Sequence, residues 1–176
     1  DSGVARVHID DMNAYAKSLQ ERLGQTGSIM RNIRSRLPGA NGADKPRIVF
    51  PEGSNARILK AASILKDEGL IQPVLLGNKK VIHKKMDALG VSNLKDIEVI
   101  SAEESPKYED YVKEFFVLRQ RKGVSYNYAK DTLKRGNYYG SMMVKMGDAD
   151  GMITGATQNY PECVRPIMKT IGTHIP

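Results

Sequence analysis

From Arg47 onward the chain alternates short, unbroken apolar runs with longer segments of helical periodicity, and this alternation restricts it to one kind of architecture. Residues 47–50, 73–76, 97–100 and 151–154 read as strands, with little polar alternation between their two faces. Such strands belong to a parallel sheet covered on both sides, because each crossover lays a helix against a face. The helices between them are legible too. Residues 56–68 carry a stripe of Ile58, Leu59, Ala62, Ile64 and Leu65, closed by Gly69. Residues 80–89 stop before Gly90. A long helix over 106–122 starts with Pro106 in its first turn and turns Tyr108, Tyr111, Val112, Phe115, Phe116 and Leu118 inward. Ser125 caps a further helix bearing Tyr128, Ala129 and Leu133, and helices over 138–146 and 161–171 follow. The expected fold is α/β, three layers in α/β/α order around a mainly parallel sheet.

Ahead of this lies a different kind of segment. Asp10 is a candidate N-cap for a helix over 7–23, with Ile9, Met12, Tyr15, Ala16, Leu19 and Leu23 at helical spacing. After Gly24 the chain turns polar and basic (Arg31, Arg34, Arg36) and then runs through Leu-Pro-Gly-Ala-Asn-Gly-Ala-Asp-Lys-Pro, a linker by composition. The expected division is an arm over 1–44 and a domain over 45–176.

Charge and composition narrow the partners. The net charge of +7 favours anions, but the basic residues are scattered, aromatics are 6% and Trp is absent. Nucleic-acid binding, which clusters cations and interleaves stacking rings, is not expected. No apolar run approaches the roughly 18 residues that cross a bilayer. The N-terminus lacks the features of a secretory signal. The single cysteine, Cys163, fits a reducing cytoplasm.

In open α/β sheets ligands bind at the carboxyl ends of the strands. The candidate loops are therefore 51–55, 77–79, 101–104 and 155–160. Gly-x-Gly-x-x-Gly and the phosphate loop ending in Gly-Lys-Ser/Thr are both absent. His8, His83 and His174 lack metal-ligand spacing, and Cys163 has no identifiable base beside it. Two loops stand out. Glu52 ends the first strand, where with Asn55 it either satisfies helix amides or orients a neighbour. The small-residue turn from Gly151 to Tyr160 precedes a helix, so an anion can approach its backbone amides, and Arg165 lies one turn into that helix. A packing turn and a solvated arginine are the alternatives. Arg119 and Arg121 complement a helix dipole on the plainest reading, and Lys79, Lys80, Lys84 and Lys85 form a solvated face. The residues alone thus indicate an α/β domain for a phosphate-bearing small molecule.

Several strings together resemble a known family. Arg-Ile-Val-Phe-Pro-Glu-Gly, Ala-Arg-Ile-Leu-Lys-Ala-Ala, Gln-Pro-Val-Leu-Leu-Gly, Leu118-Arg-Gln-Arg-Lys-Gly-Val124, Gly147-Asp-Ala-Asp-Gly-Met-Ile-Thr-Gly155 and Val164-Arg-Pro166 resemble the front of a phosphate acetyltransferase domain. The arm, with Asp1-Ser-Gly-Val-Ala and Ile9-Asp-Asp-Met-Asn-Ala-Tyr15, is similar to the junction in bacterial hybrid malic enzymes, where a malic enzyme precedes such a domain. The resemblance implies a phosphotransacetylase or isocitrate-dehydrogenase-like fold. It also implies a longer protein that oxidatively decarboxylates malate to pyruvate with NADP or NAD and Mg2+ or Mn2+. Its malic-enzyme residues would lie before residue 1 and the transferase's catalytic residues after Pro176, so no catalytic residue and no metal ligand is expected here. Within the chain it implies acetyl-CoA as ligand. Arg119 and Arg165 match arginines that meet the phosphate of coenzyme A, with Thr157, Asn159 and Tyr160 in the adjoining turn. Asn159 and Tyr160 replace the family's small hydroxyl residues, which implies binding without transfer. The expectation is a regulatory and oligomerising module coupled to its own malic enzyme domain; the alternative is an active phosphate acetyltransferase acting on acetyl-CoA or acetyl phosphate. The stripe Tyr138, Tyr139, Met142, Met143 and Met146 is either core or a face toward another subunit.

Overall fold

The structure, a computed structural model, describes Tyr15 and residues 45–172. The expected helix over 7–23 (Tyr15 apart, which is helical), the basic linker, the boundary near 44, His8 and His174 lie outside the described residues.

The strand-and-helix alternation holds. The order is β1 (Arg47–Phe50), α1 (Ala56–Asp67), β2 (Gln72–Leu76), α2 (Lys79–Leu89), β3 (Glu98–Ile100), α3 (Tyr108–Arg119), α4 (Tyr126–Leu133), α5 (Gly136–Lys145), β4 (Gly151–Met152) and α6 (Tyr160–Thr170). The sheet runs β3-β2-β1-β4, and all three pairings are parallel. Val49 stands opposite Val74 on one side and Met152 on the other. The strand order reverses at β1. The chain steps outward through β2 to β3, then returns across the opposite face to place β4 beside β1. Right-handed crossovers in opposite directions put their helices on opposite faces, which makes three layers.

The alternation of side chains along each strand serves both layers. Phe50, Leu75 and Val99 pack under α1 and α2 with Leu59, Ala62, Ile82 and Met86. Val49, Val74 and Leu76 pack under α3, α4 and α5 with Tyr111, Phe115, Leu133, Tyr139 and Met142. Helix α5 sits close to the sheet at Gly140, where a Cβ would come within 2.9 Å of the Met152 sulfur and 3.2 Å of Val49. Most of the Tyr and Met stripe is core: Tyr138, Tyr139, Met142 and Met143 are buried, while Met146 is exposed.

Several expectations are corrected. Ile64 is exposed, because about 100° per residue turns it away from the stripe of Ile58, Leu59 and Ala62. Tyr128 points outward too. Helix α3 begins at Tyr108, since the turn closed by Tyr108 N–H on the Ser105 carbonyl (3.1 Å) keeps Pro106 outside it. It ends at Arg119, and Gln120–Lys122 tighten into a 3-10 turn before Gly123. The third strand starts at Glu98 and the second helix at Lys79, while α5 begins two residues earlier than expected, at Gly136. Strand β4 is only two residues long. Ile153 N–H still reaches the Val49 carbonyl (3.0 Å), but Thr154 then leaves the ladder to donate to Asn137. Among the described residues no helix is long and apolar enough to cross a membrane.

Candidate functional site

The reversal of strand order places the loops after β1 and β4 side by side, and Glu52 joins them. Gly53, next in sequence, lets the first loop press against β2: a Cβ there would sit 2.7 Å from the Leu76 carbonyl oxygen, to which Gly53 N–H donates at 3.2 Å. This close approach aims Glu52 across the crevice. Its carboxylate accepts from the N–H groups of Gly155 (2.9 Å), Ala156 (2.8 Å) and Thr157 (2.7 Å), and from the Thr157 hydroxyl. Burial by itself would raise the carboxyl's pKa. The Thr157 hydroxyl and the three amides outweigh it and hold the group below its ordinary value. Capping of α1 falls to Asn55, whose side-chain oxygen accepts from Arg57 N–H at 2.8 Å. Of the two readings of Glu52, orienting a neighbour is the one the geometry bears out. The turn expected to admit an anion to its amides already holds one, supplied by the chain itself.

The same loop is tied from its other side. Asn137, buried at the start of α5, accepts from the Thr154 hydroxyl (2.9 Å) and donates to the Glu162 carbonyl (2.9 Å) and to the Gln158 side chain. Asn159 then begins α6 with a capping box: its side chain accepts from Glu162 N–H (3.1 Å), and Glu162 accepts from Asn159 N–H (3.3 Å). The loop is thus tied to the rest of the domain through Glu52 on one side and Asn137 on the other.

Beside this clamped loop, between α5 and α6, lies an open groove of about 600 Å³. Arg135, Arg165 and Lys169 line it, with Asn137, Gln158 and Glu162. Helix α5 enters the groove with Arg135 at its N-cap and no side-chain cap. Arg135 at the start of α5 and Arg165 and Lys169 from α6 outnumber the Glu162 carboxylate and make the groove basic, and guanidinium forks match phosphate oxygens better than an ammonium does. A second cavity of about 270 Å³ opens near β3 among Arg47, Glu98, Ser105, Tyr111, Tyr139 and Asp148. Its polar groups are mostly paired. Arg47 meets Glu98 at 2.6 Å, Tyr139 donates to Ser105 at 2.6 Å, and Asp148 holds both Lys107 and Tyr111. Burial, then the Asp148 bond, pushes the Tyr111 phenol far above its ordinary pKa. For Asp148, Lys107 and Tyr111 outweigh burial and lower the pKa.

The residues singled out from the sequence are thus placed as follows. Arg165 lines the groove. Thr157 is committed to Glu52 and Asn159 to its capping box, while Tyr160 is 78% exposed at the head of α6. Arg119, in the last turn of α3, does not line the groove; its Nε is buried without a hydrogen-bond partner. Cys163 is buried against Gly155, and His83 is exposed. Lys79, Lys80 and Lys84 are solvated, and Lys85 donates to the Ser54 carbonyl at 2.7 Å. No three His, Cys, Asp or Glu side chains gather for a metal among the described residues. Sequence reasoning missed Arg135, Asn137 and Lys169. Nothing local marks Asn137 as buried, but Lys169 follows Arg165 by one helical turn, a spacing that places both on one face.

Comparison with known proteins agrees with this fold. The family model described as phosphate acetyl/butaryl transferase matches residues 10–175. The NAD-dependent malic enzyme of Rhizobium meliloti (strain 1021) is 35% identical over 176 residues, which is 98% of this chain and 22% of that protein. The phosphate acetyltransferase of Thermoanaerobacterium thermosaccharolyticum is 39% identical over 131 residues, 74% of this chain and 39% of that enzyme. The structure of EutD phosphotransacetylase from Staphylococcus aureus superposes with a TM-score of 0.74 at 28% identity, over 84% of this chain and 43% of that one. The chain spans 22% of the malic enzyme relative's length and 39% of the transferase's.

Proposed function

Since the chain belongs to the phosphate acetyl/butaryl transferase family, we propose that it is the acetyl-CoA-binding front of a phosphotransacetylase-like domain joined to a malic enzyme, regulating malate oxidation rather than transferring acetyl groups. One observation carries the reading. Malic enzymes align along 98% of the chain, arm included, whereas the phosphate acetyltransferase relative aligns along 74% of it. The groove supplies the chemistry. Arg165, with Arg135 and Lys169 beside it, receives a phosphate of the ligand. Oxidation of malate with NAD or NADP and a divalent metal belongs in this reading to the malic enzyme part, none of whose residues is assigned here. Regulation requires that acetyl-CoA bind two states of the whole protein with different affinity.

Titrating acetyl-CoA into the full-length protein while following malate turnover tests this. A several-fold change in rate is expected, with the midpoint moved about tenfold to higher concentration in Arg165→Ala, as loss of a charge-assisted phosphate contact requires. Unchanged turnover together with no binding removes the idea. The second reading, an active transferase, is favoured by the 39% identity to a phosphate acetyltransferase. It requires the intact domain to form acetyl phosphate from acetyl-CoA and phosphate, and absence of that product rules it out.

A further inference from the structure

The loop at the strand reversal is built as a phosphate loop is built, yet its occupant is a side chain. Consecutive N–H groups of Gly155, Ala156 and Thr157 converge with the Thr157 hydroxyl on the two oxygens of one carboxylate, the arrangement by which backbone turns grip anionic oxygens. Gly155, at φ 110°, supplies the backbone turn that brings its neighbours' amides round. That carboxylate belongs to Glu52, a residue only 9% exposed, and carries four donors. An incoming phosphate would have to displace a part-buried, charge-assisted set of bonds. The far side of the loop is held by Asn137.

We propose that Glu52 is the positioning residue of this site: its carboxylate occupies the Gly155–Thr157 donor ring as a resident anion and bars a ligand's phosphate from it. The consequence rests on the function proposed above: a phosphate refused by the loop has the Arg135, Arg165 and Lys169 groove as an adjoining basic surface, shared with the loop through Asn137 and Gln158, so Glu52 decides on which side of the loop the ligand lies. A merely structural Glu52 would matter for stability alone and would not determine where an anion binds.

The test is a titration of the full chain with inorganic phosphate, followed at the backbone amide resonances against sodium chloride of equal ionic strength. In the unaltered chain Gly155, Ala156 and Thr157 are expected to stay still while Asn137 and its neighbours on the groove respond. In Glu52→Gln the three loop amides respond to phosphate, with an affinity at least tenfold above that of the unaltered loop. Glu52→Asp draws the charge back by one methylene and is expected to fall between the two. It also serves as the deciding variant should the glutamine form not fold. A loop that answers phosphate equally with and without Glu52, or that ignores it in both variants, overturns the proposal. A silent groove beside a responsive variant loop supports the role of Glu52 and overturns only the groove reading.

Discussion

The two faces of the sheet are covered by different chemistry. Under α1 and α2 the core is aliphatic, built from Leu59, Leu75, Ile82, Met86 and Leu94 around Phe50. Under α3, α4 and α5 it is aromatic and hydroxyl-bearing, with Tyr108, Tyr111, Tyr138 and Tyr139 and the buried polar residues Thr132, Asn137 and Ser141. Several of these are visibly partnered. Tyr108 donates to the Lys130 carbonyl (2.6 Å), Tyr139 to Ser105 and Ser141 to the Asn137 carbonyl (2.7 Å). The aliphatic face derives its stability from displaced water and close packing, and any oily residue of matching volume serves it. The second face depends on hydrogen bonds that must all be satisfied, because an orphaned buried polar group costs more than the bond contributes. That requirement gives fixed positions, and both cavities described above draw their walls from this second face.

The sharpest way to probe the contrast is by deletion on each face. Leu59→Ala on the aliphatic side, fully buried, is expected to lower unfolding free energy by about 3 kcal/mol, measured by denaturant titration, with ligand affinity unchanged. A loss below about 1 kcal/mol would mean that this face can collapse around a cavity and is less rigid than its packing implies.

Next comes Glu52→Gln, at about 2 kcal/mol near neutral pH, from the loss of a charged acceptor with four donors. Its pH dependence has a definite sign. The folded carboxyl titrates below its ordinary value of 4.5, so its contribution is complete above that pH and disappears as pH falls through the lower folded value. The stability gap between Glu52→Gln and the unaltered chain should therefore be widest at neutral pH and close on acidification. A gap that widened in acid would reverse the assignment.

Tyr139→Phe, which loses only the bond to Ser105, should cost about 1 kcal/mol with an unchanged denaturant slope. A cost equal to that of Leu59→Ala would show that the bond to Ser105 matters to this face as much as a buried aliphatic side chain matters to the other. Arg165→Ala should leave the melting temperature where it was and weaken phosphate-bearing ligands about tenfold, since the side chain is exposed. A large fall in melting temperature would move Arg165 from binding to structure.

The parallel three-layer class, the order of elements and most of each helix's inner face followed from periodicity. Apolar spacing along a strand or helix is a local property that burial must respect. The misreadings were local too. Ile64 was drawn inward by being apolar, although helical geometry turned it out, and Pro106 was read into a helix that the Ser105 turn starts later. Arg165 was legible as a candidate, and so was the anion-binding character of the turn after Gly151. The identity of that turn's occupant was not, since Glu52 lies 103 residues before Gly155 and no pattern couples them. Asn137 was invisible for the same reason.

Composition and spacing along the chain determined which segments pair and which faces hide from water, because those depend on a residue's near neighbours. Which loops meet was decided only when the strand order reversed at β1. That reversal set a carboxylate from the loop after the first strand against amides from the loop after the fourth, and left a groove lined by Arg135, Arg165 and Lys169 open between α5 and α6. Proximity across a sheet is a property of the assembled fold, and no window of sequence contains it.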